Sequence, residues 1–552
     1  MVAFLIHNMA PVMFGSLVVF LLLGYPAAFS LGAVGLIFAL LGIELGLFVP
    51  DFLQALPERV YGVMSNDTLL AIPFFTFMGL VLERSGMAED LLDTIGQLFG
   101  TVRGGLAYAV VFVGALLAAT TGVVAASVIS MGLISLPIML RYGYDRRVAS
   151  GVIAASGTLA QIIPPSLVLI VMADQLGKSV GDMYEGAFLP GIALAGLYAG
   201  YIFVVTIAYP KAVPGLPADA VGFREANGSR GLMSLAILAL LSGFFGWFVM
   251  LNSTSHGADF VVLTMFFGML FAFSIAVVNW LVARATGFRF LSHMAQQTTF
   301  VMVPPLFLIF LVLGTIFIGV ATPTEGGAMG ASGALILGAM KRRLTWDLVR
   351  QAVESTAKLS AFVVFILIGA RVFSLTFYGV SGHIWVEQLL TSLPGGQFGF
   401  LIFVNAFVFV LAFFLDFFEL AFIVIPLLGP AAEKLGIDLI WFGVILGVNM
   451  QTSFMHPPFG FALFYLRSVA PKEPYNDRLT GKVMEPVTTG QIYWGAVPFV
   501  VIQLIMVILV ILFPAMVMHY KGAASTVDPN KIKIEIPQID LPPLDFGAPP
   551  KN

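Results

Sequence analysis

The sequence predicts an all-α polytopic membrane protein, and its composition, its long apolar segments and an internal repeat support this fold class. Of the 552 residues, 59% are hydrophobic and only 10% are charged, a balance that soluble globular proteins of this length do not approach. Several apolar segments are long enough to cross a membrane as helices. We therefore expect a chain that crosses the membrane many times.

Composition also excludes several classes of function. The net charge of -3 is small for this length, so nothing indicates a nucleic-acid or acidic protein partner. There is no cysteine, which excludes disulfides and thiolate metal sites. The sequence contains no HExxH, Walker A or GxSxG motif, so it favours neither ATP-driven transport by this chain nor standard hydrolase chemistry. We predict that the protein is not an enzyme and has no cofactor.

The first half of the chain contains both continuous and interrupted apolar segments. Residues 10–42 would measure about 50 Å as a helix, more than the hydrocarbon core of about 30 Å, so either one tilted helix or two short helices meeting near Pro26 would fit. No signal-peptide pattern is present here, and we expect a first membrane segment. The following segments are a span near 69–86, an interfacial stretch 87–103, a hairpin or crossing at 104–140, a broken helix at 150–172 and a span at 186–209.

A polar linker, residues 210–230, precedes two spans near 232–252 and 259–283 that have no counterpart elsewhere in the chain. The second half then begins near residue 299. Its predicted segments are an interrupted stretch at 319–330, a basic cluster at 341–343, a short amphipathic stretch to about 356, a span at 357–380, a hairpin at 399–430, a broken helix at 439–466 and a last span at 492–518.

Two stretches, SGTLAQIIPPS at 156–166 and NMQTSFMHPPF at 449–459, interrupt their apolar surroundings in the same way. Each has small and polar residues followed by a Pro-Pro pair, so neither can be an uninterrupted helix. Unpaired backbone in a membrane is tolerated only where protein buries it or where it lines a cavity. Two broken helices at corresponding positions of two halves are typical of a transporter's binding site.

The internal repeat predicts the domain organisation. A shift of 293 residues lays Pro164-Pro165 on Pro457-Pro458, and a similar shift lays the hairpin around Thr120 on the hairpin around Asp416. The loop after the first hairpin carries three arginines and its counterpart only Lys434, so the positive-inside rule places these loops on opposite sides. We therefore predict two inverted repeats. Their boundaries are 1–209 for the first, 210–298 for the linker with two inserted helices, 299–518 for the second and 519–552 for a flexible tail.

The residues in these interruptions are hard oxygen donors, which suit Na⁺, whereas the N-termini of half-helices suit an anionic group. An alternative is that their side chains hold helices together. The candidate sodium ligands are Thr120, Thr121, Ser156, Gly157, Thr158, Asp416, Asn449, Gln451, Thr452 and Ser453. The candidate substrate residues are Gln161, Ser127, Glu419 and Arg371.

Asp416 lies within a long apolar run, and an ionisable residue at membrane depth predicts a functional site. Glu419 follows three positions later, with a position at the hairpin tip as its alternative role. Gln161 could contact substrate or pack, and Arg371 could bind a carboxylate or extend to the interface. The residues predicted to shape helix breaks are Pro164, Pro165, Pro457, Pro458, Thr322, Pro323 and Glu325, with Thr322 and Glu325 as a capping box or as ligands.

The stretches SGTLAQIIPPS, VATPTEGGAMGA, FLDFFELAFIVIP and NMQTSFMHPPFGFALFYLRSVAP resemble the large membrane subunit of the tripartite ATP-independent periplasmic (TRAP) transporters, the DctM-like permeases of the ion-transporter superfamily. The last stretch and the inserted spans are most similar to the mannitol/chloroaromatic subgroup. The chain departs from this pattern at His456, where relatives commonly have Thr, and at the first hairpin tip, TTGVVAAS.

This resemblance implies an inverted-repeat elevator-type transporter with two re-entrant helical hairpins and two broken transmembrane helices. It implies Na⁺ as coupling ion and import of an organic acid, such as a 2-oxo acid, across the bacterial inner membrane. The implied partners are an unfused small four-helix membrane subunit (DctQ-like) and a periplasmic solute-binding protein (DctP-like). The alternative is a stand-alone anion carrier of the same superfamily, coupled to Na⁺ or H⁺.

Overall fold

Helices make up nearly all of the secondary structure in this computed structural model. It describes residues 2–521 apart from 218–219, 221, 223–224, 226–228, 254–256 and 478–479, and the side chains of Thr120 and Thr121 lie outside the described part. Of the predicted flexible tail, residues 522–552 also lie outside it. The remainder, through Tyr520, forms one unit.

The helices before the linker follow the predicted order. They are α1 (Val2–His7), α2 (Met9–Leu22), α3 (Ala27–Glu44), α4 (Leu56–Met64), α5 (Ala71–Arg84), α6 (Met87–Phe99), α7 (Gly105–Thr121), α8 (Val124–Arg141), α9 (Arg146–Thr158), α10 (Leu167–Leu176) and α11 (Val180–Ala208). Short 3₁₀ turns lie at Pro50–Ala55, Asp67–Leu70 and Leu159–Gln161.

After the linker, the inserted helices precede the second half. The helices are α12 (Leu232–Met250), α13 (Gly257–Thr286), α14 (His293–Phe317), α15 (Pro323–Met340), α16 (Trp346–Gly379), α17 (Gly382–Thr391), α18 (Gly396–Leu411), α19 (Phe417–Ile423), α20 (Ile425–Lys434), α21 (Leu439–Met450), α22 (Phe461–Val469), α23 (Thr489–Leu512) and α24 (Ala515–Met518). A 3₁₀ turn covers Gln451–Phe454, and strands β1 (Tyr475–Asn476) and β2 (Val483–Met484) pair antiparallel.

These helices confirm the predicted polytopic class. Among the described residues, eight helices are long and apolar enough to cross a membrane, or up to ten if each bent pair counts as one span. Residues 10–42 form two helices, because the chain breaks at residues 23–26 and Pro26 precedes α3. The prediction of separate segments to about 356 and from 357 was wrong. Helix α16 is continuous, since neither Gly nor Pro interrupts it before Gly369.

Helices of the two halves match one another along the chain. A shift of 293 residues maps α8 (Val124–Arg141) onto α19 and α20 together, and it maps α9 onto α21. The two broken helices also begin alike, because Asp145 caps the backbone N–H groups of Arg147 and Val148 while Asp438 caps those of Ile440 and Trp441. Each half therefore repeats the same succession of hairpin, capped helix, break and helix.

Both predicted hairpins return to the end of the bundle from which they start. In the first, the backbone N–H of Leu106 donates to the hydroxyl of Tyr144 at 3.2 Å, which joins the start of α7 to the chain beyond α8. In the second, the Gln397 amide donates to the carbonyl oxygen of Leu435 at 2.7 Å, joining the start of α18 to the end of α20. The straight crossing left open for residues 104–140 is thus excluded.

Close helix crossings connect the halves reciprocally. Helix α3 packs against α16, and α15 packs against α5. The α3–α16 crossing depends on small residues, because a Cβ on Gly35 would meet the backbone of Phe373 and a Cβ on Gly369 would meet the carbonyl oxygen of Ala28. Helices α9 and α23 cross closely as well. A frame of α3, α5, α15 and α16 therefore stands beside the hairpins and broken helices.

The inserted helices pack on α14 at one side of this frame. The buried Asn279 of α13 donates to the Gln296 side chain at 2.8 Å, and its amide oxygen accepts the backbone N–H groups of Phe290 and Leu291 at 3.0 Å. One polar side chain thereby satisfies the turn between α13 and α14, where backbone groups would otherwise be unpaired. This bond network fixes α13 against α14.

The connections after the two broken helices differ greatly in length. Only residues 177–179 separate α10 from α11, whereas residues 470–488 separate α22 from α23 and contain the two short strands. The Arg141 guanidinium at the end of α8 contacts Asp477 of this longer connection at 2.9 Å, and Asp477 also accepts the Thr480 hydroxyl. The Asp477 carboxyl has a pKa below its ordinary value because Arg141, and then Thr480, hydrogen-bond to it.

Candidate functional site

A cavity of about 260 Å³ lies where both hairpin tips and both broken helices meet helix α16. Its lining residues are Gly122, Val123, Val124, Ala125, Gln161, Leu167, Val168, Leu359, Phe362, Asp416, Phe417, Phe418, Phe454, Phe461 and Tyr465. Four interruptions that are far apart in sequence thus border one space. Aromatic side chains form much of its wall, and none of the lining residues in the described part is Lys, Arg or His.

The first broken helix places its polar residues in the protein interior. The side chains of Ser156 and Thr158 are fully buried, and no hydrogen-bond partner contacts the Ser156 Oγ. Beyond the 3₁₀ turn, the Ser166 hydroxyl donates to the carbonyl oxygen of Gln161 at 2.5 Å and so satisfies one backbone group at the break. The Pro164-Pro165 peptide bond is cis. Helix α9 therefore ends in a buried turn that is rich in oxygen atoms.

The second broken helix has the same geometry and a different set of side chains. The Asn449 amide donates to both the backbone oxygen and the side-chain oxygen of Asn405 on α18, at 2.8 and 3.0 Å. The Thr452 hydroxyl donates to the carbonyl oxygen of Asn449. Ser453 is buried, and its Oγ has no hydrogen-bond partner. The Pro457-Pro458 bond is likewise cis.

The two broken helices touch each other through equivalent residues. The Gln451 Nε2 donates to the Thr158 Oγ1 at 3.1 Å, and these residues are 293 positions apart, the same shift that relates the two halves. Gln503 of α23 donates to the same Thr158 oxygen at 3.3 Å and to the Tyr198 hydroxyl of α11 at 2.9 Å. A fully buried polar network therefore lies at the contact between the halves.

The second hairpin tip is closed by an acidic capping box. The Asp416 carboxylate accepts the backbone N–H of Glu419 at 2.8 Å, and the Glu419 carboxylate accepts the backbone N–H of Asp416 at 3.0 Å. Asp416 caps α19 from the position before its first residue and also lines the cavity. The equivalent position of the first tip is Val123, which precedes α8 and provides no side-chain cap.

Several buried oxygen atoms near the breaks have no hydrogen-bond partner. They are Ser156 Oγ, Gln161 Oε1, Asn449 Oδ1, Gln451 Oε1, Ser453 Oγ and Gln503 Oε1. Buried polar atoms are normally satisfied, so each such atom calls for a partner. Neutral hydroxyl and amide oxygens suit a hard monovalent cation. Across the part of the chain that the structure describes, no group of three His, Cys, Asp or Glu side chains is arranged to hold a metal ion.

The structure brings some of the predicted site residues to the cavity and leaves others elsewhere. Gln161 and Asp416 line it, whereas Ser127 is buried within α8 without lining it. A Cβ on Gly157 would collide with Val128, so Gly157 permits the approach of α9 to α8. The side chains of Thr120 and Thr121 lie outside the described part. His456 packs between the rings of Phe409 and Phe413.

Arg371 does not reach the central cavity. It lines a separate cleft of about 540 Å³ together with Arg59, Asp174 and Glu433, and its contact with substrate stays a prediction. Thr322 and Glu325 form a capping box at the start of α15, with Pro323 as the first residue of that helix. Neither of them lines the central cavity. Of the two roles considered for Thr322 and Glu325, a capping box or ligands, the structure shows the capping box.

Sequence reasoning missed the aromatic wall and three polar residues, Asn405, Gln503 and Tyr198. Each polar residue is a single interruption of an apolar helix, and no local pattern distinguishes it from a helix-packing residue. The wall residues are apolar residues in membrane helices, whose sequence looks the same whether they face lipid or a cavity. Only the shift of 293 residues gives a signal, because it pairs Thr158 with Gln451.

Comparison with known proteins matches almost the whole chain to one family. Residues 14–516 match the model of the tripartite ATP-independent periplasmic transporter, DctM component. The C4-dicarboxylate TRAP transporter large permease protein DctM of Pseudomonas aeruginosa is 28% identical over 474 residues, covering 85% of this chain and 90% of the relative. The sialic acid TRAP transporter permease protein SiaT of Haemophilus influenzae is 21% identical, covering 90% of this chain and 68% of the relative.

Two further similarities concern a longer relative and a solved structure. The isethionate TRAP transporter permease protein DctMQ of Oleidesulfovibrio alaskensis is 24% identical, and the match covers 83% of this chain and 60% of that protein. The crystal structure of the YdaH transporter of Alcanivorax borkumensis, described as having an unusual topology, matches with a TM-score of 0.45 and 13% identity, covering 84% of this chain and 87% of that one.

Proposed function

This chain belongs to the DctM family of tripartite ATP-independent periplasmic transporter components, and we propose that it imports an organic acid in a Na⁺-coupled cycle. As a member of that family it is a large permease of the bacterial inner membrane, with many membrane-spanning helices, and a transporter rather than an enzyme. The coupling ion, the substrate class and the site residues are our proposals.

The single observation that carries the proposal is the cavity bordered by both hairpin tips and both broken helices. Broken helices offer free backbone groups, and in alternating-access carriers such groups hold substrate and ions. We assign the Na⁺ ions to the oxygen clusters beside the cavity, with Ser156 and Thr158 in one and Asn449, Thr452 and Ser453 in the other. The unpartnered oxygens of Ser156, Asn449 and Ser453 support this assignment.

The substrate carboxylate would bind at helix N-termini rather than at a cationic side chain. Val124 and Ala125 begin α8, Leu167 and Val168 begin α10, and all four line the cavity. Backbone N–H groups there and the helix dipoles favour an anion, and the NH₂ group of the buried Gln161 side chain, which lines the cavity, could donate to it. The aromatic wall favours an organic acid with an apolar body, for which 2-oxo acids are one class.

The cycle we propose is an elevator movement of two inverted repeats, residues 1–209 and 299–518. The reciprocal crossings of α3 with α16 and of α5 with α15 would form the fixed frame. The hairpins and broken helices would move past it, carrying the cavity while α16 provides the stationary wall through Leu359 and Phe362. Equivalent Asp caps on α9 and α21 and the pairing of Thr158 with Gln451 support the two-fold relation.

The partners we propose are a periplasmic solute-binding protein that delivers the acid and a small four-helix membrane subunit. The family name itself describes a tripartite periplasmic system, and one relative is named as a DctMQ permease. The binding protein would release its ligand into the cleft lined by Arg59 and Arg371, which faces the space between the frame and α10.

Uptake into proteoliposomes tests this function. The permease would be reconstituted with its small subunit and binding protein, and uptake of a radiolabelled 2-oxo acid would be measured with and without an inward Na⁺ gradient. We expect uptake only with both the gradient and the binding protein. Equal uptake without the gradient would contradict Na⁺ coupling. Equal uptake without the binding protein would favour the stand-alone carrier, and a pH gradient replacing Na⁺ would identify that carrier as proton-coupled.

A further inference from the structure

An apolar groove of about 680 Å³ lies outside the central cavity, between the inserted helix α13 and helices α14 and α15. Leu270 and Phe273 of α13, Phe300 of α14 and Leu337 of α15 are among its walls. One end is marked by Trp280 and Lys341. That end is the one where α13 and α15 finish and α14 begins, so the groove opens toward one surface of the membrane.

The depth of this groove corresponds to one leaflet. Along α13 its lining extends from Leu270 to Trp280, which is about 15 Å at the helical rise of about 1.5 Å per residue. The hydrocarbon core is about 30 Å thick. A partner's transmembrane helix would need an apolar face along the whole core, whereas a lipid acyl chain occupies only half of it. The dimensions therefore favour a lipid over a helix.

Positive charge is concentrated at the open end. The Arg284 guanidinium lies 5.5 Å from the centroid of the Trp280 ring. Lys341 contacts the Asp90 carboxylate at 2.7 Å, and Arg343 contacts the same carboxylate at 3.0 Å. Two cations thus contact one acid, and the carboxylates of Glu89 and Asp93 lie close to it. Arg284 has no ion pair within the described residues, so its charge above the apolar groove is not balanced by a direct contact.

We propose that this groove binds an anionic phospholipid of the inner leaflet. Its acyl chain would lie against the aromatic and aliphatic walls, and its phosphate would lie between Arg284 and Lys341. Basic pockets between transmembrane helices on the cytoplasmic side recognise anionic headgroups, and a tryptophan at this depth suits the membrane interface. Basic residues also favour the cytoplasmic side, which places the groove in the inner leaflet.

The site gives the inserted helices a role. Helix α13 has no equivalent in the first half, so the groove can form on only one side of the repeated framework. A lipid bound there would join α13 to α15 through the apolar groove, in addition to the direct packing of α13 on α14. It would stabilise the frame without contacting the transported acid, so the proposal is independent of the substrate and of the coupling ion.

Lipid retention by the purified permease with its small subunit tests this site. The sample would be delipidated in detergent, incubated with dioleoyl phosphatidylglycerol or dioleoyl phosphatidylcholine, and examined by native mass spectrometry. We expect preferential retention of phosphatidylglycerol. Arg284→Gln should weaken it about fivefold, because one cation near the surface contributes about 1 kcal/mol. The control is Arg289→Gln, which should retain lipid normally. Arg289 is an exposed cation after α13, whereas Arg284 lies against Trp280 in the wall of the groove.

A second variant, Leu337→Trp, fills the groove without changing its charge and should reduce retention of both lipids. Equal retention of the two lipids by the wild type would overturn the proposal, as would unchanged retention in Leu337→Trp. Equal thermal stabilisation by soluble glycerol 3-phosphate would identify a free phosphate site instead. Loss of the small subunit from Leu337→Trp with lipid retention intact would identify the groove as a protein interface and would also reject the lipid.

Discussion

The two hairpin tips occupy equivalent places in the two halves and differ in their chemistry. Val123 precedes α8 and leaves its first backbone N–H groups without a side-chain cap, whereas Asp416 precedes α19 and caps it. Both residues line the same cavity. The first tip therefore presents backbone donors and the second presents a carboxylate. Backbone donors suit an anion and a carboxylate suits a cation, so the two tips differ in the charge that they favour.

Replacing either of these residues with the amino acid found at the other tip should have the largest effect. Asp416→Val removes the carboxylate from the second tip, and we expect Na⁺-dependent uptake to fall by about a hundredfold, since charged hydrogen bonds contribute about 1.5–3 kcal/mol. Val123→Asp should lower uptake by a similar factor, because the new carboxylate would accept the first backbone N–H groups of α8. It should not lower the melting temperature, since Asp is a favourable N-cap. Uptake and thermal unfolding measure the two effects separately.

The control for the second tip is Asp416→Asn, which keeps a good N-cap and removes only the charge. We expect it to melt like the wild type and to lose Na⁺ dependence. Normal Na⁺ dependence in Asp416→Asn would show that the carboxylate acts only as a cap. Normal uptake in Val123→Asp would contradict the view that the first tip receives the anion.

Ser156 and Asn449 occupy equivalent positions near the ends of α9 and α21. Both have an unpartnered buried oxygen, but Asn449 also donates to Asn405. Asn449→Ala should therefore lower the free energy of unfolding by about 1–3 kcal/mol, since it leaves a buried acceptor unsatisfied. Ser156→Ala removes an unsatisfied atom and should be neutral in Na⁺-free buffer. Thermal melts with and without Na⁺ test this.

In both variants, we expect Na⁺ to raise the melting temperature less than in the wild type, because a ligand that binds the folded state more weakly stabilises it less. A wild-type Na⁺ response in Ser156→Ala would remove Ser156 from the proposed ion site. Val152→Ala offers a control on the same helix, because Val152 is buried and carries no polar atom.

The contact between the two halves predicts energetic coupling between them. Thr158→Val and Gln451→Leu each remove one side of the 3.1 Å hydrogen bond. In a double-mutant cycle on the free energy of unfolding, we expect a coupling of about 1 kcal/mol, within the range for directly bonded residues. The pair Thr158 and Asn405 should be additive, since no hydrogen bond joins them. Additivity of Thr158 with Gln451 would contradict a bond in the membrane-embedded protein.

The smallest effect concerns the long connection that only the second half has. Asp477→Asn should loosen residues 470–488 from α8 and increase cleavage there by a soluble protease. Because the pKa of Asp477 is lowered, its stabilising effect is present above the ordinary carboxyl pKa of about 3.9 and is lost only at lower pH. The difference from wild type should thus be constant between about pH 5 and 8. Glu485→Gln, an exposed acid in the same connection, is the control and should be cleaved like the wild type.

The sequence predicted those parts of the fold that interrupt a helix. The breaks were located by Pro-Pro pairs that follow small and polar residues, and the second hairpin by Asp416 within an apolar run. A Pro-Pro pair alone does not interrupt a helix, since α14 continues through Pro304 and Pro305. The sequence did not predict that α16 is a single helix. The first third of α16 is polar and the rest is apolar, and two separate helices would have the same sequence pattern. It did not predict the aromatic wall, because Phe362 would have the same sequence context if it faced lipid.

The hydrogen bond between Thr158 and Gln451 bears on the origin of the chain. Where a residue meets its own counterpart in a pair of identical chains, one amino acid must be compatible with itself across the axis. A single chain that carries both positions is free of that restriction. Here an amide donor, Gln451, faces a hydroxyl acceptor, Thr158. Symmetric contacts of this kind are where fused repeats gain the most freedom to diverge.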